Sequence, residues 1–197
     1  MYFHFHSNTR HIDKKLETHR CQHVKANNQQ CKNRITIGQK LCHIHRLNEL
    51  NLKVKASNIP NAGKGLFCVD KTRGANEIIF RRGDKICNYN GELITEAQLN
   101  ARYGDETGPY AVEMNRKRYS DGAFVRGVGT LLNHAIKVRA NVEFSVKRDN
   151  SDVTIVATKN IKNGAELLIN YGRQYRFNER DVITYTGNNK KDFTHLY

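Results

Sequence analysis

The sequence predicts a mainly β fold with short helices, preceded by a small module rich in cysteine and histidine. Three observations carry this. Short runs of Val, Ile, Phe and Tyr recur through residues 53–172. One segment has the start and stop signals of a helix. Residues 1–46 hold seven of the nine histidines and three of the five cysteines.

The strand candidates are "GLFCV" (65–69), "NEIIF" (76–80), "KICNY" (85–89), "YAVEM" (110–114), "NVEFSV" (141–146), "DVTIVAT" (152–158) and "ELLINY" (166–171). β-Branched and aromatic side chains fit a pleated, half-buried surface, and Gly, Asn and Asp between the runs punctuate them as turns. In "TEAQLNARYG" (95–104), Thr95 precedes an Ala/Leu pattern and Gly104 follows it, so a helix is predicted there. The chain divides by composition into a basic Cys/His-rich module and linker (1–52), a β-rich body (53–172) and an aromatic C-terminal segment (173–197). No internal repeat or low-complexity tract interrupts this order.

Cys21, Cys31, Cys42 and His45 read as C-x9-C-x10-C-x2-H. Zinc takes four such donors in a tetrahedron, and Cys42 and His45 are one turn apart. The stretch is too poor in apolar residues to fold alone, so bound metal would supply the missing folding energy. The other reading is free thiols on a solvated basic arm. His45 is the fourth ligand chosen, with His19, His23 and His43 also within reach. The pattern "RCQ…QCKNR…LCHIH" resembles a small Cys-Cys-Cys-His module of viral and bacterial proteins, which implies a structural or binding role for it.

No apolar run approaches the roughly 20 residues that a membrane helix needs, and the N-terminus lacks the pattern of a secretory signal. An odd cysteine count fits a reducing compartment, so an intracellular protein is expected. The net charge is +14, and residues 1–52 carry 9 Lys/Arg against 3 Asp/Glu. Such an excess serves solubility or attraction to a polyanion such as nucleosomal DNA. The Asn-, Lys- and Ile-rich composition fits an AT-rich genome, such as that of a large DNA virus.

Four motifs within the body are each weak alone. "NAGKGLF" (61–67) places Gly63 and Gly65 around Lys64, which lets backbone approach a ligand closely or simply turns the chain. Tyr89 in "NYNGEL" sits beside a turn. "LLNHA" (131–135) ends an apolar run on Asn133 and His134, and "GAELLINYG" (164–172) ends another on Asn170 and Tyr171. In this order and spacing, residues 54–172 resemble a SET domain, the S-adenosylmethionine-dependent protein-lysine methyltransferase fold. Gly63-Lys64-Gly65 with Leu66, Tyr89-Asn90-Gly91-Glu92, Asn133-His134-Ala135 with Asn141, and Gly164-Ala165-Glu166-Leu167 through Tyr171-Gly172 carry the resemblance.

The resemblance implies small sheets around a knot-like crossing of the "LLNHA" and "AELLINYG" segments. It implies a cofactor site of Lys64, Gly65, Leu66, Tyr110, Asn133, His134 and Tyr171. Tyr171 and Tyr89 would be catalytic, and Tyr89, Ile169, Tyr175 and Phe177 would line the lysine channel. Methyl transfer from a sulfonium is an in-line displacement that needs a neutral amine aligned with the methyl carbon. A lysine near its ordinary pKa of about 10.4 loses its proton only where the site disfavours the charge. Ala135 and Ala165 depart from the family pattern. Ile169 stands where the family places Phe or Tyr, which leaves mono-, di- and trimethylation open and leans towards more than one methyl, since no phenol hydroxyl would hold a water there. No cysteine-rich segment follows residue 172, so the aromatic residues 173–197 would complete the channel.

The expected function is therefore methyl transfer to lysine on histone tails or another protein, with S-adenosylmethionine as cofactor and one structural Zn2+. The expected place is the nucleus or chromatin, or a viral factory if the source is viral. A dimer is compatible with the sequence. The competing expectation is a chromatin- or nucleic-acid-binding SET-like module with weak or absent transfer.

Overall fold

A computed structural model describes residues 18–36, 38–104, 108–115, 117–146, 152–172 and 175. They form two compact units. One is built from residues up to 46, 87–130 and 145–154, and the other from 47–86, 131–144 and 155 onward. The expected fold class holds: short strands dominate, with two α-helices among the described residues.

The chain opens with β1 (Thr18–Arg20) and β2 (Arg34–Thr36), paired antiparallel with His19 opposite Ile35. Helix α1 (His43–Leu50) follows after the turn that holds Gly38, and Asn51 ends it in the left-handed region (φ 55°), a conformation Asn tolerates. β3 (Leu52–Ala56) and β4 (Lys64–Cys68) make an antiparallel hairpin. Its loop closes through the Ser57 N–H donating to the Gly63 carbonyl at 2.9 Å, with Asn61 and Gly63 both at positive φ.

Next come β5 (Ile78–Phe80), β6 (Lys85–Asn88) and β7 (Glu92–Thr95). Helix α2 (Glu96–Tyr103) is the helix predicted from sequence. Thr95 caps it, with its hydroxyl accepting from the Gln98 N–H while the Gln98 side chain accepts from the Thr95 N–H, and Gly104 ends it. β8 (Ala111–Asn115) and β9 (Arg118–Asp121) complete a three-stranded antiparallel sheet of order β7-β9-β8.

After a 3-10 turn (Val128–Leu131), the chain forms β10 (Asn133–His134), β11 (Val142–Val146), β12 (Val153–Ala157), β13 (Ile161–Lys162) and β14 (Leu168–Ile169). β13 pairs with β5, and a five-stranded sheet has the order β10-β14-β11-β12-β6. Strand β14 thus returns late in sequence to lie between β10 and β11, parallel to both. "ELLINY" is a strand over two residues only, because the backbone of 164–167 pairs instead with β4, as in Leu167 N–H to the Leu66 carbonyl at 2.8 Å.

In the first unit, a charged residue sits where periodicity places an apolar one. Asp121 ends β9 with 0% exposure. It accepts from Arg102 at 2.7 Å, the Tyr103 hydroxyl at 2.9 Å and the Ala123 N–H at 3.0 Å, while Arg102 also meets Glu92 at 2.8 Å. A buried carboxylate is tolerated only when so surrounded. Removing one member strands the others, which for a buried pair costs about 3–5 kcal/mol. Asp121→Ala should lower unfolding stability by that order in urea melts, and Asp121→Asn, which keeps polar atoms at the place, by less.

Candidate functional site

The second unit gathers most of the residues singled out for cofactor binding. The Glu166 carboxylate, 6% exposed, is their anchor. It accepts from the Ser57 hydroxyl at 2.6 Å, the Asn58 N–H at 2.7 Å and Asn133 Nδ2 at 3.1 Å. Asn133 Nδ2 also donates to the Lys64 carbonyl at 3.2 Å, so the turn around Lys64 and strand β10 are joined through one amide.

The glycines read from sequence as ligand-facing divide into two cases. A Cβ on Gly65 would run into the Glu166 carboxylate, so glycine is needed there to make room inside the protein. Gly63, at φ 70°, has open space where a Cβ would stand.

His134, 5% exposed, lies beside Asn133. Its Nδ1 accepts the Tyr171 N–H at 3.1 Å, which fixes the neutral ring with its proton on Nε2. Burial brings the His134 pKa down to about 4. The Tyr171 hydroxyl donates to the Leu132 carbonyl at 2.7 Å. Its ring lies 5.2 Å from that of His134 and 4.7 Å from that of Tyr175. Ile169 is buried beneath, opposite His134 in the β10–β14 pair.

Asn141 fixes the return strand. Its Nδ2 donates to the Glu166 carbonyl at 2.8 Å and its Oδ1 accepts the Leu168 N–H at 2.8 Å, so a side chain completes the ladder. Sequence reading quoted Asn141 and Glu166 as motif letters but gave neither a role. Ser57 and Asn58 it missed entirely, since they meet Glu166 from more than a hundred residues away.

The first unit holds the other expected residues. The Tyr89 hydroxyl donates to the Tyr110 carbonyl at 2.7 Å, and the same carbonyl accepts the Gly122 N–H at 2.9 Å. The Tyr110 ring is covered by the Arg126 guanidinium, 4.3 Å from its centroid. Phe177 lies outside the described residues.

The Cys/His cluster is also in this unit. The donor atoms of Cys21, Cys31, Cys42 and His45 all lie within 4.8 Å of one another. His45 Nδ1 is 3.4 Å from Cys21 Sγ and 3.3 Å from Cys42 Sγ. Two ligands of one tetrahedral zinc, a sulfur at about 2.3 Å and a nitrogen at about 2.0 Å, stand roughly 3.5 Å apart. The donor set therefore fits that ion.

Burial pushes the Cys42 thiol up, but hydrogen bonds from Asn33 and from the His45 and Ile44 backbone outweigh it and bring the thiol down to about 6. That favours the thiolate that a metal needs. Cys68, elsewhere, is pushed up to about 12 by burial, with Asp70 adding to the shift, and stays a thiol. The competing histidines are engaged differently: His19 Nε2 bonds the Gln39 carbonyl at 2.9 Å, His23 stacks on His45 at 3.6 Å, and His43 is exposed.

Comparison with known proteins places this geometry. The SET domain family profile matches residues 75–172. The curated "Variant-silencing SET domain-containing protein" of Plasmodium falciparum is 22% identical over 142 residues, covering 68% of this chain and 5% of the relative. Chaetomium thermophilum polycomb repressive complex 2 in an autoinhibited conformation bound to S-adenosylmethionine superimposes with a TM-score of 0.51 at 22% identity, over 77% of this chain and 18% of that one. The same complex solved with histone peptide gives 0.52 at 21%, over 78% and 17%. These likenesses establish the fold. The chain spans a small fraction of each relative's length.

The neutral His134 makes stability depend on pH. Its folded pKa is about 4 and its unfolded value about 6.5. The unfolded chain therefore binds more protons between those limits, and stability falls as pH drops through the window. The melting temperature should be level above pH ~6.5 and decline towards pH ~4. His134→Gln should flatten that part of the profile, and an unchanged slope in the variant would count against this cause.

Proposed function

We propose, from the match of residues 75–172 to the SET domain family, that this chain is an S-adenosylmethionine-dependent protein-lysine N-methyltransferase that acts on histone tails at chromatin. The observation that carries the reading is the posture of the two tyrosines. Each phenol donates its proton to a backbone carbonyl, Tyr171 to Leu132 and Tyr89 to Tyr110, both at 2.7 Å. Each oxygen therefore offers only lone pairs to whatever approaches. An acceptor held in place is suited to an amine N–H or to hydrogens made acidic by a neighbouring positive charge.

S-adenosylmethionine supplies a methyl group on a sulfonium when bound. The chain's residues fit it: Gly63 has open space where a side chain would stand, Asn133 stands half-exposed by the Lys64 carbonyl, and Tyr171 and Tyr175 are half-buried aromatic rings. In that transfer the amine's lone pair would make the new nitrogen–carbon bond as the sulfur–carbon bond breaks, the bonding pair would stay on sulfur as a thioether, and the product ammonium would lose its proton to solvent. Tyr171 orients the groups, and Tyr89 accepts a hydrogen bond from the amine. Neither acts as a strong base, and Ile169, with no hydroxyl to hold a water, leaves room for more than one methyl.

Zinc, held by Cys21, Cys31, Cys42 and His45, is structural in this reading. The described part of that module packs only Ile35 and Leu41 with the cysteines, too small a core to stand alone. The charge of +14 draws the protein to the nucleosome's polyanion and so to the tails that leave it. Radiolabelled methyl transfer onto core histones and nucleosomes tests the function, and complete absence of transfer would favour the chromatin-binding alternative.

Tyr171→Phe keeps ring and packing but removes the hydroxyl. Turnover should fall on the order of a hundredfold while cofactor affinity survives. Tyr89→Phe should be milder and alter the mass distribution of products. A near-wild-type rate for Tyr171→Phe would refute this placement of the active centre.

Calorimetry with S-adenosylmethionine should show binding that Asn133→Ala severely weakens. Elemental analysis should find one zinc per chain, lost in Cys31→Ser; zinc retained by a chain lacking residues 1–49 would refute the assignment.

A further inference from the structure

The Cys/His module touches the rest of its own unit at one telling place. Gly38, in the turn after β2, has φ 95°, and a Cβ there would stand 2.7 Å from the Arg126 backbone nitrogen and 2.9 Å from the Val125 carbonyl carbon. The turn is therefore pressed flat on the 125–126 backbone, a contact that only glycine permits on grounds of both space and dihedral angle.

Asn90 closes the contact from the other side. Its Nδ2 donates to the Gly38 carbonyl at 2.9 Å, and its own carbonyl accepts the Gly127 N–H at 2.9 Å. Gly127 in turn has no room for a Cβ, which would stand 2.8 Å from Asn90. Three backbone turns, at 38, 90 and 126–127, are thus locked around one asparagine.

That asparagine follows Tyr89, whose hydroxyl is set by the Tyr110 carbonyl. Arg126, whose backbone supports Gly38, lies over the Tyr110 ring at 4.3 Å and donates from Nε to the Gly122 carbonyl at 3.3 Å. The chain of contact runs from Gly38 through Asn90 and Arg126 to both ends of the Tyr89–Tyr110 hydrogen bond.

We propose that Asn90 and Gly38 are positioning residues through which the metal-organised module holds Tyr89 and Tyr110 in their working geometry. The module is then part of the lysine side of the enzyme and more than a tether that recruits it. This rests on the methyltransferase reading for its consequence in catalysis, but the coupling itself is a property of the folded chain. The turn at 38 lies between Cys31 and Cys42, two of the four ligands, so release of the metal frees the segment that presses on Arg126.

Two measurements on the 197-residue chain test it. Asn90→Ala and Gly38→Ala should each keep one zinc and wild-type affinity for S-adenosylmethionine. Each should raise KM for a lysine substrate on the order of tenfold, with a smaller change in kcat, because positioning for the substrate is what is lost. Unchanged KM in both variants would overturn the proposal.

The second measurement does not depend on activity. Hydrogen exchange with and without a zinc chelator should show the Gly127 amide, bonded to Asn90, exchanging on the order of tenfold faster once the metal is removed. If the amides of Cys21 and Cys31 lose protection on chelation while that of Gly127 keeps it, the module is uncoupled and the proposal fails. Loss of transfer activity in the wild type would refute the methyltransferase reading and leave the exchange result to decide the coupling.

Discussion

Burying a carboxylate obliges a protein to bring donors to it from wherever they can be found. Glu166 imposes that obligation on the second unit. Its donors come from Ser57 and Asn58 in the β3–β4 loop and from Asn133 on β10, and its own position follows from Ala165 and Leu167 pairing with β4. Gly65 must be a glycine because the carboxylate lies across it. The Lys64 turn, β10 and the approach to β14 are therefore not independently adjustable. A site assembled this way arrives with its geometry already set, which is what orientation-dependent chemistry requires.

Local signals were legible and distant ones were not. Helix α2 could be read because Thr95, Gln98 and Gly104 act within one short segment. Strands β4, β8, β11 and β12 could be read because their side chains carry the burial pattern. β9 (Arg118–Asp121) escaped because its sequence is polar and its buried end is a charged residue whose partners, Arg102 and Tyr103, are on α2. β10 and β14 are too short for any period to show; only their motif letters marked them.

The candidate site divides in the same way. Asn133, His134 and Tyr171 were picked out and are indeed together, tied by the Tyr171 N–H to His134 Nδ1. Gly65 has a reason to be glycine that its motif did not show, since a Cβ there would meet the Glu166 carboxylate. Among four histidines near the cysteines, spacing alone favoured His45 weakly, and geometry separates it because the others face a carbonyl, a ring or solvent. Gly38 drew no notice, since a glycine in a polar stretch reads as an ordinary turn until the backbone pressed against it is seen.

The placement of β14 between β10 and β11 has a bearing on how the molecule comes into being. A strand cannot be inserted until both its flanks exist, and here the flanks are residues 133–134 and 142–146 while the insert is 168–169. During synthesis the ribosome releases the insert after the flanks, so this region passes through a period with an open slot lined by unsatisfied strand edges. Such edges are where chaperones and neighbouring chains attach. The residues that complete the slot lie just ahead of Tyr171, so the contact between the Tyr171 N–H and His134 Nδ1 forms only as that gap closes.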